Sequence, residues 1–190
     1  MRTFTSQLKM ASLVALVLGA RSAGAAEPPA AVRATIQPIQ VRKQAPAFWL
    51  ENAAGKKVKL SDYHGKVVLL DFWATECGGC IREMPGFMDL AKAYKKKGLT
   101  VVGVSMDISY EDLKNSHEAW SRVNPFVETH KVNYPILMGD DQVTKRYDIQ
   151  ALPLTYLIDK RGRIAATYAG VVDKDNVESN IQTVLKESKR

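Results

Sequence analysis

The sequence is short of several things, and each shortage excludes something. Its 190 residues hold two cysteines, too few for a multi-disulfide framework and, without two further ligands, unable to complete a four-coordinate structural zinc site. The three histidines, His64, His117 and His130, lie scattered in loop or polar helical contexts with no H-x-x-E-H or H-E-x-x-H spacing, so all three are expected at the surface and no metal is expected. Long hydrophobic runs are missing as well. The apolar stretch at residues 10–20 is only about eleven residues long, too short to cross a hydrocarbon core of roughly 30 Å as a helix. No phosphate-binding glycine loop, nucleic-acid motif, internal repeat or low-complexity tract occurs.

What is there describes one globular domain: 46% hydrophobic and 25% charged residues are enough for a sizeable core. Residues 1–25 read as an export signal. Arg2 and Lys9 supply a positive start, residues 10–20 the apolar run, and Ala23 and Ala25 a small-residue cleavage site. Left uncleaved, the segment would tether the protein to the membrane; no cysteine stands beside the site, so a lipoprotein anchor is excluded. The formal charge of +7 falls to about +4 once Arg2, Lys9 and Arg21 are removed with the signal, which weakens the case for a nucleic-acid partner. Export leads to the periplasm or the outer face of the cytoplasmic membrane, where two cysteines can be redox-active.

Residues 26–44 hold three prolines and no glycine and suit an extended leader; the domain is expected from residue 45 to 190. A hairpin turning at residues 52–55 opens it. The run KVVLLDFWA at residues 66–74 reads as a strand buried on both faces, with one Asp inside it. A helix over residues 78–97 follows, stopped by Gly98, and then a second buried strand over residues 99–106, giving a parallel βαβ unit. Residues 110–130 are amphipathic, and Pro125 is expected to break them into two pieces. A short strand at 135–138, a helix at 140–147, a hairpin of strands 155–159 and 163–169, and a helix over Lys174–Lys186 complete an α/β sandwich around one mixed sheet.

Cys77 and Cys80 form C-G-G-C directly after the buried strand, at the expected start of the helix. Helix-start N–H groups and partial positive charge stabilise a thiolate there, and three-residue spacing lets one sulfur reach the other. Gly78 and Gly79 leave the approach of a substrate unobstructed.

The run DFWATECGGCIREMP resembles the active-site segment of the thioredoxin superfamily. The stretches APAFWLENAAGKKVKLSDYHGKVVLLDFWA and VNYPILMGDDQVTKRYDIQALPLTYLIDKRGRI extend the resemblance to its secreted TlpA/ResA-like thiol-disulfide oxidoreductases, over about residues 44–185. The resemblance implies a thioredoxin-like fold: a central mixed β-sheet flanked by helices, with an N-terminal β-hairpin and a helix/strand insertion. It implies a redox disulfide between Cys77, the attacking residue, and Cys80, the resolving one. It casts Asp71 as a buried proton acceptor, Pro85 as the proline kinking the active-site helix, Pro153 as a cis-proline facing the disulfide, and Leu152 as the residue whose backbone pairs with substrate. It implies no cofactor, protein thiol or disulfide substrates, and a membrane electron donor of the relay type. A monomer is expected. An Asp71 carboxyl set among apolar residues should have a raised pKa.

Two positions depart from the family. Glu76 stands where most relatives have Trp, and its charge opposes a Cys77 thiolate, which predicts a more reducing couple. Leu154 replaces the usual Thr after Pro153, either making the partner-facing strand greasy with Leu152 or pointing into the core. YDIQALPLTY does not match the GVYGxPET-like stretch of the haem-biogenesis branch, so electron delivery to apocytochrome c is one candidate role among others. Copper binding or metallochaperone work by the cysteine pair is an alternative, although such relatives space their cysteines more widely. A thiol peroxidase is another, supported by fold alone, since the P-x-x-x-T-x-x-C signature is absent. Trp49, Trp73 and Trp120 are expected to be packing residues.

Overall fold

The computed structural model describes residues 30–187; the expected export signal lies outside the described residues. Seven strands form one mixed sheet in the order β2-β1-β5-β4-β3-β6-β7. They are β1 (Trp49–Asn52), β2 (Lys57–Lys59), β3 (Val67–Trp73), β4 (Leu99–Ser105), β5 (Ile136–Met138), β6 (Leu154–Ile158) and β7 (Ile164–Ala169). β3, β4 and β5 run parallel, and the two hairpins β1–β2 and β6–β7 join antiparallel on either side. All seven residues of β3 are buried, as a strand covered on both faces requires.

Alternation along β3 sorts the core into two layers. Val67, Leu69 and Trp73 pack with α1 (Gly78–Tyr94), α3 (Ser116–Thr129) and α5 (Lys174–Lys186). Val68, Leu70 and Phe72 pack on the other side with Phe48, Leu50, Val143 of α4 (Asp141–Arg146), and Tyr147. The short α2 (Asp107–Tyr110) follows β4 directly. Among the described residues no helix is long and apolar enough to cross a membrane.

Pro125 does not break the 110–130 segment. It lies inside α3, because both Pro125 and Ser121, whose carbonyl it leaves unbonded, are exposed and water can reach that carbonyl. The interruption comes earlier, where Asp112 takes a positive φ of 51° and Asn115 caps α3 by accepting the Glu118 N–H. Trp49 is not a core residue: it is 53% exposed, with the Arg146 guanidinium over its ring. Trp73 is fully buried and Trp120 partly so, while the three histidines are exposed.

Residues 30–44 run extended apart from a 3₁₀ turn at Ile39–Val41, and they are bound along β7 and α5. Val32, Ala34 and Ile36 alternate toward the core, Gln37 N–H donates to the Ala165 carbonyl, and Asn180 donates to that of Ala34. Arg42 fastens the far end. Its buried guanidinium donates to Asp159 in the β6–β7 turn at 3.1 Å and to both oxygens of Glu187, at the end of α5, at 2.6 and 2.7 Å.

Removing one side of a buried ion pair leaves the other uncompensated. Arg42→Met therefore lowers the unfolding free energy by about 3 kcal/mol, measured by urea titration; a loss indistinguishable from zero would show that Asp159 and Glu187 are served without it.

Candidate active site

The site is built where β3 ends and α1 begins. α1 is amphipathic, burying Cys80, Glu83, Met84, Phe87, Leu90, Ala91 and Tyr94 on one stripe. Cys77 is its N-cap, with Sγ accepting the Cys80 N–H at 3.2 Å, and the two cysteines are joined as a disulfide. Both are nearly sealed from solvent, at 4% and 1% exposure, while Glu76 and Gly78 on either side of Cys77 are exposed.

The two glycines differ in their surroundings. A Cβ on Gly78 would meet only the tip of Arg82, whereas one on Gly79 would lie 3.0 Å from Val171 and 3.1 Å from the Pro153 ring. Gly79 thus lets the segments carrying Pro153 and Val171 close onto the cysteine turn. Pro153 follows a cis peptide bond from Leu152, and its carbonyl accepts the Gly170 N–H. Leu152 is half-buried, and Leu154 points into the core beside Phe72 rather than toward a partner. Pro85 sits inside α1, which continues through it.

The loop from β3 to Cys77 is anchored by a buried carboxylate, Asp107. It accepts hydrogen bonds from the Thr75 backbone N–H, the Thr75 hydroxyl and the Ser105 hydroxyl. Thr75 stands two residues before Cys77, so the anchor fixes the start of the cysteine turn.

Asp71 and Glu83 are buried acids of another kind. Asp71, 1% exposed in the middle of β3, accepts one long hydrogen bond of 3.3 Å, from Thr155 on β6. Burial pushes its carboxyl up to about 7, with Thr155 opposing. Glu83, one turn beyond Cys80, accepts the Val172 N–H at 3.0 Å. Burial first, and then the nearby Asp71 charge, push it up to about 9, against the Val172 hydrogen bond and Arg82. Both carboxyls therefore keep their protons to higher pH than ordinary carboxyls do.

Sequence reasoning placed Asp71 but passed over Glu83. A signal was available: Glu83 falls on the stripe defined by Cys80, Met84 and Phe87, where a carboxylate has no solvated position. Among the described residues no three His, Cys, Asp or Glu side chains are grouped to hold a metal ion.

The raised pKa of Asp71 has a definite sign in stability. The unfolded chain releases this proton near 3.8 and the folded one near 7, so the folded state loses ground as pH rises between the two. Asp71→Asn removes the loss: its advantage over the parent in urea unfolding widens by about 3 kcal/mol from pH 5 to pH 8. A constant difference would mean that Asp71 ionises normally.

Residues 41–167 match the AhpC/TSA family. The thiol-disulfide oxidoreductase ResA of Geobacillus kaustophilus is 35% identical over 77% of this chain and 79% of its own; that of Bacillus subtilis is 32% identical over 81% of each. Among solved structures, the thioredoxin domain of a thiol-disulfide oxidoreductase from Bacteroides vulgatus superposes with a TM-score of 0.62 at 29% identity, covering 75% of this chain and 96% of that one. A thiol:disulfide interchange protein from Bacteroides sp. gives 0.63 at 27%, covering 78% and 92%. With a thioredoxin-like sheet, a cysteine pair capping the first long helix and these relatives, the chain belongs to the AhpC/TSA family, as one of its ResA-like thiol-disulfide oxidoreductases.

Proposed function

We propose that the protein is an exported reductase of protein disulfides, acting as a monomer through the Cys77–Cys80 couple and recharged by a membrane electron donor. The observation that carries this reading is the disulfide at the N-terminus of α1, with the buried acid Glu83 one turn beyond Cys80 and the buried acid Asp71 in the strand that leads into the cysteine turn. Export rests on residues 1–25, with the periplasm or outer membrane face as the destination.

In the reduced protein the Cys77 thiolate attacks one sulfur of a substrate disulfide, and the other substrate sulfur leaves as a thiolate. Cys80 then yields its proton to the Asp71–Glu83 pair and attacks the Cys77 sulfur. The second substrate sulfur leaves, two electrons have passed to the substrate, and the Cys77–Cys80 disulfide has formed. An external dithiol reverses this on the protein. Pro153 and Val171 pack against Gly79 beside the cysteines, and Leu152, half-buried before Pro153, offers backbone and apolar contact to an extended substrate segment.

Cys80→Ser blocks the second step, so in the exported compartment substrates accumulate as mixed disulfides on Cys77 that a reducing agent releases. If none accumulates, protein disulfides are not its substrates. Glu76 tunes the first step: exposed beside Cys77, its charge disfavours the thiolate, weakened by solvent screening. In Glu76→Gln the Cys77 pKa, read from thiolate absorbance, falls by about 0.5, and the couple becomes less reducing. An unchanged pKa and potential would make Glu76 a bystander.

A further inference from the structure

Glu83 depends on one donor. Among the described residues its Oε1 has no hydrogen-bond partner, and its Oε2 accepts only the Val172 N–H, at 3.0 Å. The peptide group that supplies this N–H is held from its other side by the strap: its oxygen, the Val171 carbonyl, accepts the Val32 N–H at 2.7 Å. A trans peptide group is planar, so its C=O and N–H point in opposite directions and turn together. The Val32 N–H therefore fixes the direction in which the Val172 N–H points. Each hydrogen bond in such a chain also polarises the next, which strengthens the one that reaches Glu83.

Val32 also meets the rest of the segment that carries this peptide group. A Cβ on Gly170 would lie 3.1 Å from Val32 Cγ2, Val172 is the bridge partner of Val32, and the Asp173 N–H donates to the Val32 carbonyl at 2.8 Å. The same segment reaches the redox centre. Gly170 N–H donates to the Pro153 carbonyl at 2.9 Å, Val171 lies on Gly79, and Val172 holds Glu83. The next strap residues keep Val32 seated, Arg33 by pairing with Asp173 and Ala34 by donating its N–H to Asn176 at 2.8 Å. Residues 30–40 precede the stretch that matches the family, residues 41–167, so family membership alone does not account for this arrangement.

We propose that Val32 is a positioning residue for the exchange reaction: its N–H, acting through the 171–172 peptide group, keeps the Glu83 carboxylate ready for the resolving step, a role that rests on the carboxyl pair accepting the Cys80 proton. The step itself is unchanged. Cys80 gives its proton to the pair, its sulfur bonds to the Cys77 sulfur, and the substrate sulfur leaves with the electron pair of the broken bond; Val32 supplies neither proton nor electron. The Val172 hydrogen bond opposes the burial and the Asp71 charge that keep Glu83 protonated. With that bond weakened, fewer molecules at pH 7 carry Glu83 as a carboxylate. The titratable and charged groups facing Glu83 are Asp71 from β3, Arg82 and Cys80 from its own helix, and Tyr134 from the segment before β5.

Reduced protein is oxidised in a single turnover by DTNB, an aromatic disulfide whose released thiolate is coloured. Attack by Cys77 releases the first thiolate at a rate proportional to DTNB, and attack by Cys80 releases the second at a rate independent of it. Val32→Pro, which has no N–H to donate, slows the second release about tenfold at pH 7, with less effect as pH rises and Cys80 ionises unaided; the first release is unchanged. Should Val32→Pro unfold, the α-hydroxy analogue of valine at position 32 removes the same N–H without adding a ring and is read in the same way. Ile36→Ala loosens the strap away from Val32 and changes neither release. Glu83→Gln slows the second release, and Val32→Pro added to it slows it no further. If Glu83→Gln slows the second release and Val32→Pro does not, the role of Val32 is overturned and the carboxyl reading stands. Equal slowing by Ile36→Ala, or further slowing when Val32→Pro joins Glu83→Gln, overturns it in favour of packing. An unchanged second release in Glu83→Gln removes Glu83 as an acceptor, and the role of Val32 with it.

Discussion

The redox centre depends on the cost of keeping two carboxyl groups inside apolar protein. Asp71 comes from the central strand and Glu83 from the helix lying over it, so the packing of α1 on the sheet brings together groups that would separate in water. Desolvation raises both, and the charge of Asp71 makes Glu83 hold its proton more firmly still. The fold has to be stable enough elsewhere to bear this. It has continuous apolar layers on both faces of β3, with Phe72, Leu69, Leu70 and Trp73 fully buried.

Asp107 shows that burial alone does not make an acid functional. It is as deeply buried as Asp71, yet it collects donors from Thr75 and Ser105 and serves as an anchor. Asp71 and Glu83 each accept a single hydrogen bond, and the difference lies in the two hydroxyls, of Thr75 and Ser105, that Asp107 has in addition to a backbone N–H. Both environments lie within five residues: Gly103 on β4 is the register partner of Asp71, and Asp107, which opens α2, closes the loop that carries Cys77.

Much of this was legible in the sequence. The run KVVLLDFWA marked the buried strand because nothing in it after Lys66 but Asp71 could face water, and C-G-G-C after it marked a helix start. The pieces that escaped depend on geometry that no local pattern carries. Pro125 looked like a breaker, but its cost depends on whether the carbonyl it frees is wet. Leu154 could have faced a partner until the β6 register placed it on Phe72. Tyr134 reads as an ordinary aromatic before a proline, and only the pairing of β5 with β4 brings its ring to Gly103, the register partner of Asp71. Residues 26–44 read as a leader because of their prolines, yet Val32, Ala34 and Ile36 already show the period-two alternation of a segment lying against a core.

That segment changes what a chain attached upstream would do. Val32 bridges to Val172 and donates to the Val171 carbonyl; Val172 donates to Glu83, and Val171 packs on the Gly79 turn. The polypeptide before Val32 thus leaves the domain beside its redox centre, and the Arg42 clamp holds the strap at the other end. The strap is tied at one end beside the segment that holds Glu83 and at the other to Asp159 and Glu187. A pull on the chain before Val32 would load first the Val32–Val171 hydrogen bond, one residue from the Val172 N–H that holds Glu83.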